Sequence, residues 1–224
     1  MNKYNGYRTI IFTITTALVF FIWSMIQPIL VGFIGLSFWN PALIGAIISL
    51  GSYRFVLKLV EALAIKFKLI KKIVFGRSYL DGIWVGAYIG RSGKPRFFVE
   101  YFEQDFNSLV IRSKCYFEDG RYRGEWKSRN ASIDEDKGEL YYTYDTTMED
   151  KGFKTMGFAI FTFDRKNKLA APNMIYGFSS DISSEKMNPA VEEKITKKKI
   201  LSDQELLERA IEVYQKYKDT MLKQ

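Results

Sequence analysis

SLVIRSKCYFEDGRYRGEWKSRNASI, residues 108–133, carries the pattern that governs most of this chain. Two segments alternate on either side of the turn Asp119-Gly120-Arg121. In the first, Leu109, Ile111, Ser113, Cys115 and Phe117 share one face, and Arg112, Lys114 and Tyr116 share the other. In the second, Tyr122, Gly124, Trp126 and Ser128 oppose Arg123, Glu125 and Lys127. Strand side chains repeat every two residues and Asp-Gly is hairpin chemistry, so the stretch predicts an antiparallel pair with one apolar face. The same pattern extends both ways, predicting eight strands at 79–89, 96–104, 108–118, 122–133, 139–146, 153–163, 173–180 and 193–200, separated by Gly-, Asp- and Asn-rich turns. Eight meandering strands close most simply into a small up-and-down β-barrel, making residues 76–201 an all-β domain. In that barrel Trp84, set between Gly82 and Gly86, is expected to close one end, either as a core plug or as a ligand contact. Beyond it, Ser202-Asp-Gln-Glu205 forms a capping box. Leu206, Leu207, Ala210, Ile211, Tyr214, Tyr217 and Met221 then recur at helical spacing, so residues 202–224 predict one amphipathic helix that packs on the barrel or plugs it.

Upstream, the chain changes character. Arg54 is the sole charged residue between Ile10 and Leu57, and the Pro41 turn divides that apolar stretch in two. A hydrocarbon core about 30 Å thick needs roughly 20 helical residues, so spans are expected at about 9–32 and 42–59. Lys3 and Arg8 precede the first span, and Arg54, Lys58, Lys66, Lys68, Lys71, Lys72 and Arg77 follow the second, while none lies in 33–40. By the positive-inside rule both termini face the cytoplasm of a multi-pass membrane protein. Residues 59–75 read as a basic connector helix, completing an N-terminal region of residues 1–75. Along the second span, Ala42, Gly45, Ala46, Ser49 and Ser52 permit close helix approach, and Arg54, Lys58 and Glu61 form a polar edge where it leaves the membrane.

The net charge of +8 suggests nucleic acid until it is divided. Residues 1–77 hold 9 basic and 1 acidic side chains, against 24 of each in 78–224. The excess is juxtamembrane and suits anionic lipid, so DNA or RNA binding is not expected. The absence of histidine removes the commonest general base and most zinc sites, and neither a phosphate loop nor a dinucleotide fingerprint occurs. The acidic clusters Glu118-Asp119, Asp134-Glu-Asp136 and Glu149-Asp150 all fall in predicted turns. No catalytic residue, metal or cofactor is expected, and the chain reads as a tethered binding module. Its single cysteine, Cys115, cannot form an intrachain disulfide and fits a reducing compartment.

An eight-stranded barrel encloses room for side chains or one small ligand. Trp84, Trp126, Tyr142 and Tyr144 are rings suited to stacking on a base, while Arg112, Lys114 and Arg123, with Arg121 and Lys154, are cations suited to phosphates. Taken one by one, core packing and a solvated outer face explain the same residues.

The layout resembles a family: the two-transmembrane, β-strand-rich effectors encoded beside bacterial nucleotidyltransferases similar to cyclic GMP-AMP synthase, in the antiphage signalling called CBASS. The resemblance rests on the paired spans, the basic connector, Tyr79-Leu-Asp-Gly-Ile-Trp-Val-Gly86 and Tyr176-Gly-Phe-Ser-Ser-Asp181, and it covers nearly the whole chain. It implies a barrel that binds a cyclic di- or trinucleotide made by the partner nucleotidyltransferase, protomers that then oligomerise, and spans that disrupt the inner membrane. A membrane-tethered lipid or fatty-acid binder and a fully packed scaffold remain as alternatives.

Overall fold

The computed structural model describes residues 3–34, 53–60, 62, 67–105, 108–149, 154–182, 184, 186–195 and 201–221. The chain divides into two compact units, Met1–Phe75 and Gly76–Gln224.

The first unit opens with α1 (Lys3–Ile34), which contains Pro28. Within it, Ile11–Ile29 is long and apolar enough to cross a membrane, the one such helix among the described residues. Phe20, Phe21, Met25 and Ile29 are all more than half exposed, the surface expected of a helix whose partner is lipid. Most of the expected second span lies outside the described residues, as do Ala42, Gly45, Ala46, Ser49, Ser52 and Glu61; residues 53–60 are helical, with Arg54 and Lys58 exposed. The connector contains a second labelled helix, α2 (Lys68–Phe75), on which Leu69 and Ile73 are exposed beside Lys68 and Lys72.

The second unit is a closed barrel in which each strand pairs with the next and the last returns to the first, all antiparallel. Its strands are β1 (Gly82–Ile89), β2 (Pro95–Gln104), β3 (Leu109–Tyr116), β4 (Tyr122–Asp134), β5 (Glu139–Met148), β6 (Lys154–Asp164), β7 (Met174–Asp181) and β8 (Asn188–Lys194). Seven match the sequence reading to within about three residues, the ordinary error of such boundaries. The eighth does not: sequence placed it at 193–200, whereas it spans Asn188–Lys194. Pro189 is its second residue.

Alternation divides the apolar residues between two cores. The barrel interior holds Trp84, Phe98, Phe102, Ile111, Cys115, Trp126, Leu140, Tyr142, Tyr144, Phe161 and Ile175. A second core lies on the outer face of β1, β2 and β8, where Val85, Ala87, Phe97, Val99 and Val191 meet Leu206, Ala210 and Val213 of α3 (Asp203–Met221). Those three strands are buried on both faces and hence carry near-continuous apolar runs. The capping box forms: Glu205 N–H donates to Ser202 Oγ at 3.2 Å, and Ser202 N–H donates to Glu205 Oε2 at 2.8 Å. Thus α3 braces the barrel wall and does not plug an end.

Candidate functional site

The two ends of the barrel interior are filled differently. At the end where residues 78–80 enter the barrel, Trp84 is fully buried, donates its indole N–H to Leu80 C=O at 2.8 Å and packs against Phe102 with ring centroids 5.3 Å apart. Gln104 closes the same end, accepting from Leu80 N–H at 2.8 Å and donating to Ser78 C=O at 3.0 Å. Trp84 is therefore a core plug and does not line the cavity at the other end, a correction to its place among the candidate ligand contacts.

Toward the other end the packing stops short and leaves a cavity of about 240 Å³. Its walls are Tyr88, Phe98, Trp126, Tyr142, Tyr144 and Phe161. The rings brace one another: Trp126 lies 5.4 Å from Phe98 and 6.3 Å from Tyr144, and Tyr142 stacks on Phe161 at 6.1 Å. Gly157 makes room for this wall, since a Cβ there would fall 2.3 Å from Tyr144 Cζ. Of the sequence candidates, the cavity thus gathers Trp126, Tyr142, Tyr144 and Arg123.

Arg123 is the informative case, because strict alternation puts it outside. Pairing runs Tyr116↔Tyr122 and then Cys115↔Gly124, so Arg123 is the extra residue of a β-bulge. A bulge re-aims side chains, and this one turns a guanidinium into the cavity mouth, where Arg123 Nη1 donates to Tyr88 Oη at 2.8 Å. Gly124 is required beside it: a Cβ would stand 2.3 Å from Thr147 O. Arg91 and Arg96, which sequence reasoning did not single out, also line the mouth. Phe117 organises the group, with the guanidinium carbons of Arg96, Arg121 and Arg123 lying 5.2, 5.3 and 5.7 Å from its ring centroid.

The other two cations proposed from sequence lie on the outer wall. Arg112 pairs with Glu103 across β2 and β3, and Lys114 pairs with Asp203 at 2.7 Å, tying β3 to the first turn of α3. Both are corrected from ligand contacts to surface ion pairs. Their alternation with buried Ile111, Ser113 and Cys115 had placed them outside; their charge alone had made them candidates.

The cavity floor holds what sequence reasoning missed. Glu100 on β2 and Glu192 on β8 are both fully buried, and both line the cavity. They flank β1: Trp84 pairs with Glu100 and Gly86 with Glu192, so the two carboxyls approach each other past a residue without a side chain. A Cβ at position 86 would lie 2.9 Å from Glu192 Cγ and 2.2 Å from Val191 O. Glu100 Oε1 accepts from the Trp126 indole N–H at 2.7 Å and from Tyr142 Oη at 3.3 Å. Burial pushes the Glu100 carboxyl up to about 7, against the hydrogen bonds from Trp126 and Tyr142 that favour its charge. Burial, and after it the neighbouring Glu100, also raise the Glu192 carboxyl well above the ordinary glutamate value, so the two acids favour holding a proton over standing as adjacent carboxylates. Burial likewise raises the Tyr142 and Tyr88 hydroxyls and the Cys115 thiol, leaving all three neutral.

No protein-family model matches the chain, and no curated protein or solved structure matches it. Among the described residues, no three histidine, cysteine or acidic side chains converge in a way that could hold a metal ion.

Proposed function

We propose that this chain is a membrane-anchored receptor and effector of antiphage signalling, not an enzyme: its barrel binds a cyclic oligonucleotide, binding assembles copies of the chain, and the apolar N-terminal segments then disrupt the bacterial inner membrane. The observation that carries the ligand reading is the cavity, whose aromatic walls are topped by Arg91, Arg96 and Arg123. Base-on-ring stacking is worth roughly 1–3 kcal/mol, and a guanidinium is matched to phosphate oxygens. Volume points the same way. At about 240 Å³ the cavity is smaller than the roughly 300–1,000 Å³ of pockets that enclose drug-sized ligands. It suits one base inside, with the phosphate ring at the arginines. The membrane part of the reading rests on α1 and on the basic, apolar surface of α2.

The cavity counts against a fully packed scaffold, and two buried carboxyls on its floor count against a fatty-acid tail, which would desolvate them further. Assembly requires that ligand favour the assembled state, because equal affinity for both states shifts nothing.

The test is a thermal shift of the full chain in detergent against cyclic di- and trinucleotides, with fatty acids alongside. A ligand at a hundred times its dissociation constant adds about 2.7 kcal/mol, a shift of a few degrees. Arg123→Ala should weaken that ligand by on the order of ten- to a hundredfold, the worth of a charge-assisted contact. A fatty-acid response with silence from every nucleotide would sink the reading.

A further inference from the structure

We infer that Glu100 and Glu192 form the subsite that reads the edge of the inserted base, and that they select a base bearing an exocyclic amino group over uracil. This rests on the nucleotide reading above and specifies it.

The starting point is a count of hydrogen-bonding atoms. Among the buried side-chain atoms with no hydrogen-bond partner in the protein, Glu100 Oε2, Glu192 Oε1, Glu192 Oε2, Asn188 Oδ1 and Thr146 Oγ1 all belong to residues that line the cavity. Four of these five are carboxyl or amide oxygens, and a hydroxyl is the fifth. Each buried acceptor left unmet costs about 1–3 kcal/mol, so this cluster is expensive unless something supplies donors. A proton shared between the two carboxyls answers some of the demand, yet it cannot answer all of it. Water can meet the remainder while the cavity is empty, but a ligand that displaces it must bring N–H of its own.

The mouth narrows the choice of donor. A simple cation would satisfy the floor but must pass a mouth where the guanidinium groups of Arg91, Arg96 and Arg123 outnumber one carboxylate, Asp181, paired with Arg91 at 3.3 Å. A nucleotide presents the opposite polarity at each end, with neutral N–H groups on the base edge and negative phosphate outside. The amino-bearing bases fit the carboxyl pair in either of its protonation patterns. A carboxylate takes N1–H and N2–H of guanine as a fork. A carboxyl that has kept its proton accepts from the amino group of adenine or cytosine and donates to the adjacent ring nitrogen. Uracil fits less well: it can pair with a protonated carboxyl through N3–H and one carbonyl, but it brings one N–H where the amino-bearing bases bring two or more, and its second carbonyl then faces the remaining acceptors. The aromatic walls are indifferent to this distinction, since every base has a stacking face. Discrimination falls to the floor.

The experiment measures equilibrium binding of cyclic di-AMP, cyclic di-GMP and cyclic di-UMP to the full chain in lipid nanodiscs. At least one of the two amino-bearing ligands should bind tighter than cyclic di-UMP by on the order of ten- to a hundredfold, the worth of one bidentate base contact. In Glu192→Gln the amide offers N–H to the uracil carbonyls, so the gap should fall to about threefold or less. The wild-type ranking needs no variant and holds even if Glu192→Gln folds poorly; the unliganded melting midpoint reports that separately. Binding of cyclic di-UMP as tight as the others, or an unchanged gap in a folded Glu192→Gln, overturns the assignment of the floor and leaves the receptor reading standing. Binding of none of the three overturns the assignment of the floor, and the receptor reading falls with it only if the trinucleotides of the thermal-shift panel are silent as well.

Discussion

The two ends of the barrel are made from the same eight strands and the same residue types, yet one is finished and the other is not. At the closed end the bulky polar groups find protein partners: the Trp84 indole N–H meets Leu80 C=O, and the Gln104 amide meets Ser78 and Leu80. At the open end, Glu100 and Glu192 are buried as deeply but keep oxygens without a protein donor. The difference teaches where to look for function in a domain with no recognisable motif. A packed end answers its own hydrogen-bonding demands, whereas an end that buries acceptors and leaves them unmet is shaped for something that brings donors.

The contrast makes substitutions at the two ends behave differently, and the largest effect belongs to the closed one. Trp84→Ala should destabilise the barrel by about 3–5 kcal/mol in chemical denaturation, the cost of a large buried ring and its cavity. Ligand affinity of the remaining folded protein should be almost unchanged.

The carboxyl pair sets the next effect. Its folded-state affinity for protons is raised above the unfolded value, so between the two the folded barrel holds a proton that the unfolded chain has released, and stability falls as pH rises. The window opens near the ordinary glutamate value of 4.5 and runs through about 7, and Glu192, raised as well, works in the same direction. A shift of that size is worth about 3 kcal/mol over the window. Denaturation midpoints should thus decline from pH 5 to pH 8 by an amount of that order, and Glu192→Gln should remove that acid's share of the slope while buried Glu100 keeps its own, and should stabilise the unliganded protein at pH 8. A flat profile in the wild type would mean the two carboxyls are not held together.

Gly157→Ala tests the wall between the ends. The new methyl must displace the Tyr144 ring, so a cost of about 1–3 kcal/mol is expected, together with weaker stacking of ligand on the displaced ring. Smallest of all should be Lys114→Ala, which breaks an exposed ion pair with Asp203 and should cost less than about 1 kcal/mol, with no change in ligand affinity. A marked loss of binding there would return Lys114 to the site.

How much of this was legible in the chain depends on the range of the interaction involved. Leu109, Ile111 and Cys115 against Arg112 and Lys114 were read correctly because alternation is local: a strand exposes its two faces in every pair of residues. Tyr142 and Tyr144 were found on the right strand but not distinguished from core. Both belong to the interior cluster and both line the cavity, and the difference between packing and lining is a matter of where side chains run out. Arg123 was selected for its charge against its alternation, and a bulge that no pattern announced brought it inside. Glu100 carried a signal that went unused: in Phe98-Val-Glu100-Tyr-Phe102 an acid shares the inward face with two phenylalanines. Glu192 carried less, because the eighth strand was placed too late in the chain and began beyond it.

By itself, then, the amino-acid sequence determined an apolar N-terminal region ahead of a β-rich domain, eight alternating strands, and the positions of most turns. Those follow from hydrophobic period and turn chemistry, which act over a few residues. The closed barrel was itself expected from that pattern; only the tertiary structure decided that α3 covers the outer wall and that Glu100 and Glu192 meet past Gly86. The two acids stand 92 positions apart in the sequence, and no local rule couples them. Ring closure puts them on either side of one strand, and the desolvation that follows gives the cavity its chemistry.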